Sequence, residues 1–165
     1  MLIFYRDIKL ENILIQKNKK GEITVKIIDF GFGVWMAHDQ REKIYCGTPS
    51  YMAPEILMKK PYHPGPADVW ALGVLLFILL CGKFPYKGRT DRELLTRMRI
   101  NDLKFPDNIS DEVKTLIRKM YTINANQRIT AAQLLMDKWL LKIRSPKRKI
   151  LEKKKFDFKE QILQK

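Results

Sequence analysis

The chain has 165 residues, 45% of them hydrophobic and 30% charged, which suits one buried core and excludes a disordered or fibrous protein. Its formal charge is +14, but residues 138–165 hold 11 Lys/Arg against 3 Asp/Glu, so the excess is mainly a property of the tail. That distribution makes nucleic acid a poor partner for the folded part, and two distant cysteines, Cys46 and Cys81, exclude a zinc cluster or disulfide framework and fit a reducing, cytoplasmic setting.

At the N-terminus, Met1 to Arg6 has no basic stretch ahead of its short apolar run and no small-residue cleavage site, so it does not read as a signal peptide. Ile13 to Ile15 and Ile23 to Ile28 flank a charged turn containing Gly21, which predicts a β-hairpin. From Asp29 to Glu55 periodicity fails, and Gly31, Gly33, Gly47 and Pro49 interrupt what remains, predicting a long functional loop. Asp68 then precedes an apolar run that continues to Leu80 and closes at Gly82. This predicts a helix capped by Asp68 and, because Val69 to Leu80 is apolar on nearly every side, one surrounded by protein. The strongly apolar stretch Leu72 to Cys81 covers 10 residues, about half of what a bilayer-spanning helix needs, so no transmembrane segment is expected. Asp91 to Ile100, Ser110 to Tyr121 and Thr130 to Leu141 carry amphipathic helical spacing, with Ser110 and Thr130 as caps. The sum is a mainly α fold with a small β-hairpin over residues 1–141, followed by a basic tail, 142–165.

Three motifs carry chemistry. Tyr5-Arg6-Asp7-Ile8-Lys9-Leu10-Glu11-Asn12 is followed after the hairpin by Asp29-Phe30-Gly31, and the long loop ends in Gly47-Thr48-Pro49-Ser50-Tyr51-Met52-Ala53-Pro54-Glu55. Any one of these residues is more often a solvated surface group or a turn former than a catalyst. In this order they resemble the catalytic loop, the magnesium motif and the substrate-docking end of the activation segment in Ser/Thr protein kinases. The resemblance runs from Tyr5 to about Leu141 and is to the C-terminal lobe of that fold. Gly82-Lys83-Phe84-Pro85-Tyr86 is similar to the calmodulin-dependent and related kinase groups.

The resemblance implies ATP and magnesium as cofactors and a protein Ser or Thr hydroxyl as acceptor. Asp7 would orient or accept the hydroxyl proton, and Lys9 would neutralise the transferring phosphate. Asn12 and Asp29 would hold magnesium through hard oxygens, Leu14 would lie in the floor beneath adenine with Ile13, Ile15, Leu75 and Leu79 lining or supporting it, and Thr48 and Glu11 would help dock substrate. Lys9 two positions after Asp7 matches the Ser/Thr class. Tyr5 stands where most of the family has His, with its ring expected behind Phe30. Ile44 stands where many relatives carry a phosphorylatable Thr, so Arg6 needs another anion, for which Asp39 or Glu42 is in range. Glu55 and Arg128 resemble a buried scaffolding pair, and Asp68 the residue that holds the catalytic-loop backbone from below, with a plain helix cap as its competing reading.

No glycine-rich phosphate loop, strand lysine or partner Glu helix can precede Tyr5 in these residues, so the N-terminal lobe is expected to be absent, supplied by upstream sequence or by a partner. Helices that in the family pack on the central helix would be missing too, which should leave a broad apolar face. Two readings follow: a Ser/Thr kinase present as a fragment and inactive by itself, or a non-catalytic kinase-like module that binds proteins. Ser145 to Lys149 and Lys153 to Lys155 make the tail a solvated basic segment able to attract acidic partners.

Overall fold

The β-branched runs on either side of Gly21 pair as expected. In the computed structural model, which describes residues 2–37 and 40–144, β2 (Ile13–Lys17) and β3 (Ile23–Ile27) form an antiparallel hairpin with Ile15 opposite Val25. Gly21 takes the left-handed conformation, φ 83°, that closes the turn without a Cβ penalty. A second pair was not legible in the sequence: β1 (Leu2–Phe4) runs antiparallel to β4 (Val34–Met36), Ile3 facing Trp35. The pairing joins residues more than 30 apart, and such short strands carry no periodicity of their own.

The stretch read as one long loop is therefore only partly irregular. Besides β4 it contains a 3₁₀ turn, Pro49–Tyr51, and a short helix, α1 (Pro54–Leu57), each started by proline at a position whose amide has no helical partner. Behind them runs α2 (Pro64–Cys81), the axis of the core. It begins four residues earlier than the expected Asp68 start, with the His63 ring accepting from the Gly65 amide at 3.1 Å as the cap. Pro64 and Pro66 sit in its first turn, where proline costs no hydrogen bond. Asp68 is thus not the cap and its carboxylate is used elsewhere. Gly82, φ 67°, ends the helix as expected.

At 18 residues α2 is long and apolar enough, by length and composition alone, to cross a membrane, but half of it is buried inside this fold. Trp70, Val74 and Phe77 face the core at 0%, 1% and 1% exposure. Leu72 and Leu79, seven positions apart on one face, are 38% and 42% exposed, so the helix is not enclosed on every side.

Three amphipathic segments pack around it. The helices α3 (Asp91–Ile100) and α4 (Asp111–Met120) match their expected limits, although the Ser110 side chain makes no capping bond. The last expected helix splits into α5 (Ala131–Leu135) and α6 (Lys138–Arg144). Thr130 and Gln133 close a reciprocal capping box on α5, and the Asp137 carboxylate accepts from the Trp139 amide at 2.9 Å, starting a new helix rather than continuing the old one. Leu116, Ile117 and Met120 of α4 bury themselves against α2 and its surroundings at 1%, 0% and 1% exposure. The fold is α-rich with a pair of two-stranded sheets among the described residues. Residues 145–165, which include the basic clusters of the tail, lie outside the description, as does Asp39.

Candidate active site

Between β1 and β2 the chain turns sharply, and Arg6 adopts φ 68°, an uncommon conformation for a residue with a Cβ. Asp68 holds it there. Its Oδ2 accepts from the Tyr5 amide at 2.9 Å and its Oδ1 from the Arg6 amide at 2.8 Å, so one carboxylate on α2 fixes two consecutive peptide groups. Burial pushes the Asp68 carboxyl above its usual range, and the two amides and the Arg6 charge only partly oppose that.

The turn delivers Asp7 into a buried position, 4% exposed, surrounded by donors. Lys9 Nζ lies 2.7 Å from Asp7 Oδ2. Asn12, itself 5% exposed, donates its Nδ2 to the Asp7 carbonyl at 3.0 Å and to Oδ2 at 3.1 Å. Thr48 comes in from the far end of the loop, its hydroxyl donating to Asp7 Oδ1 at 3.4 Å and accepting from Lys9 Nζ at the same distance. Four expected site residues thus form one hydrogen-bonded cluster, drawn from segments 41 residues apart. The hydrogen bond to Asp7 raises the Lys9 ammonium above its ordinary value despite its partial burial, so this lysine is a cation at every physiological pH.

Asp29 joins from the hairpin. The Ile28 amide donates to the Asn12 carbonyl at 3.0 Å, which docks the segment before Asp29 beside the catalytic loop. Asp29 is also left-handed, φ 60°, with Oδ1 accepting from the Gly31 amide at 3.1 Å. Its charge acts on both Lys9 and Tyr5. Because Asn12 commits its side-chain NH₂ to Asp7, its side-chain Oδ1 can face a cation, and with the Asp29 carboxylate this is a hard-oxygen pair of the kind magnesium takes. No group of three His, Cys, Asp or Glu suited to a metal occurs among the described residues.

The remaining expected residues fall into separate places. Glu11 is exposed beside the cluster. Leu14 is 50% exposed on the hairpin and Leu79 42% exposed on α2, while Leu75 is buried at 9%. The Tyr5 ring meets Phe30 edge-on with centroids 5.0 Å apart, as expected, and its hydroxyl donates to the Ile28 carbonyl. Glu55 and Arg128 form a bidentate pair at 2.7 and 2.9 Å with both residues buried, and Arg128 also donates to the carbonyls of Pro66 and Thr122.

Of the two anions considered for Arg6, Glu42 makes the contact: Arg6 Nη1 to Glu42 Oε2 is 2.7 Å with side chains only 8% and 13% exposed. Arg6 Nε also donates to the Phe32 carbonyl at 2.6 Å. Amide bonds from Ile44 and Lys43 and the Arg6 charge together outweigh the desolvation of Glu42 and lower its pKa. Two tyrosines to which the sequence assigns no role complete the frame. Tyr62 exchanges both backbone hydrogen bonds with Glu42 and donates its hydroxyl to the Ile44 carbonyl at 3.1 Å, and the Tyr51 hydroxyl accepts from the Leu10 amide at 3.4 Å. Nothing local to either residue signals these contacts.

A concavity of about 820 Å³ between α4 and the α5–α6 segment contains none of these groups. The cluster instead borders a small cavity of about 20 Å³ lined by Asp7, Thr48 and Tyr51, so its chemistry and not cavity size identifies it.

The protein kinase domain family matches residues 1–140. The probable serine/threonine-protein kinase HSL1 of Saccharomyces cerevisiae is 36% identical over 156 residues, 94% of this chain and 10% of that protein. Serine/threonine-protein kinase kin-29 of Caenorhabditis elegans is 39% identical over 138 residues, covering 84% of this chain and 16% of its own length. Serine/threonine-protein kinase SIK2 of Gallus gallus is 36% identical over 138 residues, 84% of this chain and 17% of that protein. The chain thus spans less than a fifth of the length of each of these relatives.

Proposed function

Since the chain belongs to the protein kinase domain family, with serine/threonine-protein kinases as its relatives, we propose that it forms the C-terminal catalytic lobe of an enzyme that transfers the γ-phosphoryl group of ATP to Ser or Thr hydroxyls of proteins. The observation that carries this reading is the buried Asp7 carboxylate with Lys9, Asn12 and Thr48 hydrogen-bonded around it.

In this reading Asp7 orients the acceptor hydroxyl and takes its proton, and Lys9, a permanent cation 2.7 Å from that carboxylate, compensates negative charge on the transferring group. Thr48 bridges both and, with exposed Glu11, borders the substrate side. Asn12 and Asp29 would hold magnesium, which when bound supplies positive charge to the nucleotide phosphates. Leu14 contributes to the apolar floor below the base. Asp68, Glu55 and Arg128 position these groups without touching substrate. Phosphoryl transfer asks mainly for alignment and electrostatic stabilisation, so a rigid hydrogen-bonded cluster suits it.

These 165 residues contain no glycine-rich phosphate loop followed by a strand lysine, so the chain alone should bind nucleotide weakly and turn over little. The test compares magnesium-ATP binding and Ser/Thr peptide phosphorylation by the chain alone and by the chain joined to an upstream kinase lobe bearing both elements. Turnover in the joined protein, abolished by Asp7→Asn and Asp29→Ala, is expected. A folded joined protein that binds the peptide but never phosphorylates it would favour a non-catalytic binding module.

A further inference from the structure

On the side of the molecule formed by α3 and the segment after α2 there is a separate depression of about 430 Å³. Lys83, Lys87, Arg97 and Lys104 line it, against one acid, Asp102. Lys83, Arg97 and Lys104 enter no ion pair among the described residues. A neighbouring depression of about 520 Å³ shares Arg97 and Ile100 and adds Arg92 with one further acid, Glu93, extending the groove along α3.

Beneath the cationic rim the floor is aromatic and fixed. Phe77 and Tyr86 are 1% and 6% exposed. The Tyr86 ring stacks on Trp70 with centroids 6.3 Å apart, and its hydroxyl donates to Asn101 Oδ1 at 2.6 Å, securing the residue that ends α3 at φ 52°. Ile100, by contrast, is 69% exposed beside Arg97. Cations without acidic partners around an exposed aliphatic side chain have as their complement a segment of opposite charge with one apolar residue to bury.

We propose that this groove docks an acidic peptide segment of a protein partner, its carboxylates on Lys83, Arg97 and Lys104 and one apolar side chain against Ile100. The site connects to the catalytic loop through one ring contact and one hydrogen bond: Phe84 at the groove meets Tyr51 edge-on at 5.4 Å, and the Tyr51 hydroxyl accepts from the Leu10 amide. An acidic segment held here would keep the rest of its protein beside Thr48 and Asp7. That last placement rests on the phosphotransferase reading, whereas the docking itself does not.

The experiment follows fluorescence anisotropy of a short labelled peptide of glutamates around one leucine, added to the whole chain without nucleotide. The peptide should bind, and its glutamine counterpart should bind at least about tenfold more weakly. The double variant R97E/K104E, changed only at exposed positions, should lose about tenfold in affinity, I100Q about threefold, and the tail variant K153E/K154E/K155E less than twofold. Circular dichroism confirms that each variant retains its helices. Unchanged binding in R97E/K104E, an equal loss in the tail variant, or equal affinity for a single-stranded oligonucleotide of the same charge would overturn the proposal in favour of unspecific polyanion attraction. Failure of phosphoryl transfer leaves all of these values untouched, so the two readings fail separately.

Discussion

The helical half and the β face of this molecule are both rich in large apolar residues, yet they end in opposite states. Around α2, Trp70 and Ile117 are fully buried and Val74 and Phe77 nearly so, while across the hairpin and β1–β4 Ile15, Ile23, Val25 and Trp35 are 59% to 69% exposed. The helices supply each other with partners in the first region, whereas the β2–β3 ribbon has no second layer over either face among the described residues and β1–β4 buries only Phe4 and Met36. Apolar composition thus describes what a segment can bury and says nothing of whether a partner is present. The Asp7 cluster lies on the seam, with Asp68, Thr48 and Tyr51 reaching it from the packed side and Asp29 from the open one.

If the packed half is the source of stability, its buried ion pair should dominate. Arg128→Ala strands the Glu55 carboxylate in a dry site and should cost about 3 to 5 kcal/mol, read as a fall in the urea midpoint. A loss under 1 kcal/mol would mean that the helical half relaxes around the defect and that the contrast is overdrawn.

On the seam the effect should be intermediate and local. Asp68→Ala removes the acceptor for two adjacent amides, which should cost about 2 kcal/mol and release the Tyr5 and Arg6 amides to rapid hydrogen exchange before the core opens. Exchange that accelerates equally in α4 would contradict a local role.

Glu42 sharpens the comparison further, because it ties the loop to the catalytic turn without a phosphate. Glu42→Gln should cost about 1 to 2 kcal/mol and speed tryptic cleavage at the flanking Arg41 and Lys43. The native carboxyl is depressed below its ordinary 4.5, so its contribution is complete above that value and is lost as pH falls through the folded pKa. The acid limb of the protein's stability should therefore be shallower in the variant. Identical limbs would remove Glu42 from the account.

The smallest change is expected on the open face. Ile15→Thr with Val25→Thr alters a cross-strand pair that keeps strand propensity and buries little, so stability should shift by less than about 0.5 kcal/mol while self-association at high concentration declines. A loss of several kcal/mol would show that this face is covered in solution.

Much of this architecture was readable from local chemistry. The hairpin around Gly21, the α3 and α4 limits, the Gly82 stop and the Thr130 cap all depend on residues within a few positions of one another. Spacing plus resemblance also named Asp7, Lys9, Asn12 and Thr48, which the fold brings together. What escaped depended on distance. Strand β1 finds β4 across the intervening segment and Tyr62 reaches Glu42 from beyond the loop, while Asp68, a cap by its local signals, is assigned to the loop backbone only through the resemblance, because its partners Tyr5 and Arg6 lie more than 60 residues away.

By itself the sequence determined the type and rough limits of the long helices and, through the resemblance, pointed to the residues gathered around Asp7, because propensity, capping and side-chain chemistry are local. Only the tertiary structure decided which carboxylate neutralises Arg6, which apolar faces are left open, and how cations from two segments line one groove behind α3. Those outcomes depend on which distant surfaces meet, and no single stretch of chain contains both sides of such a contact.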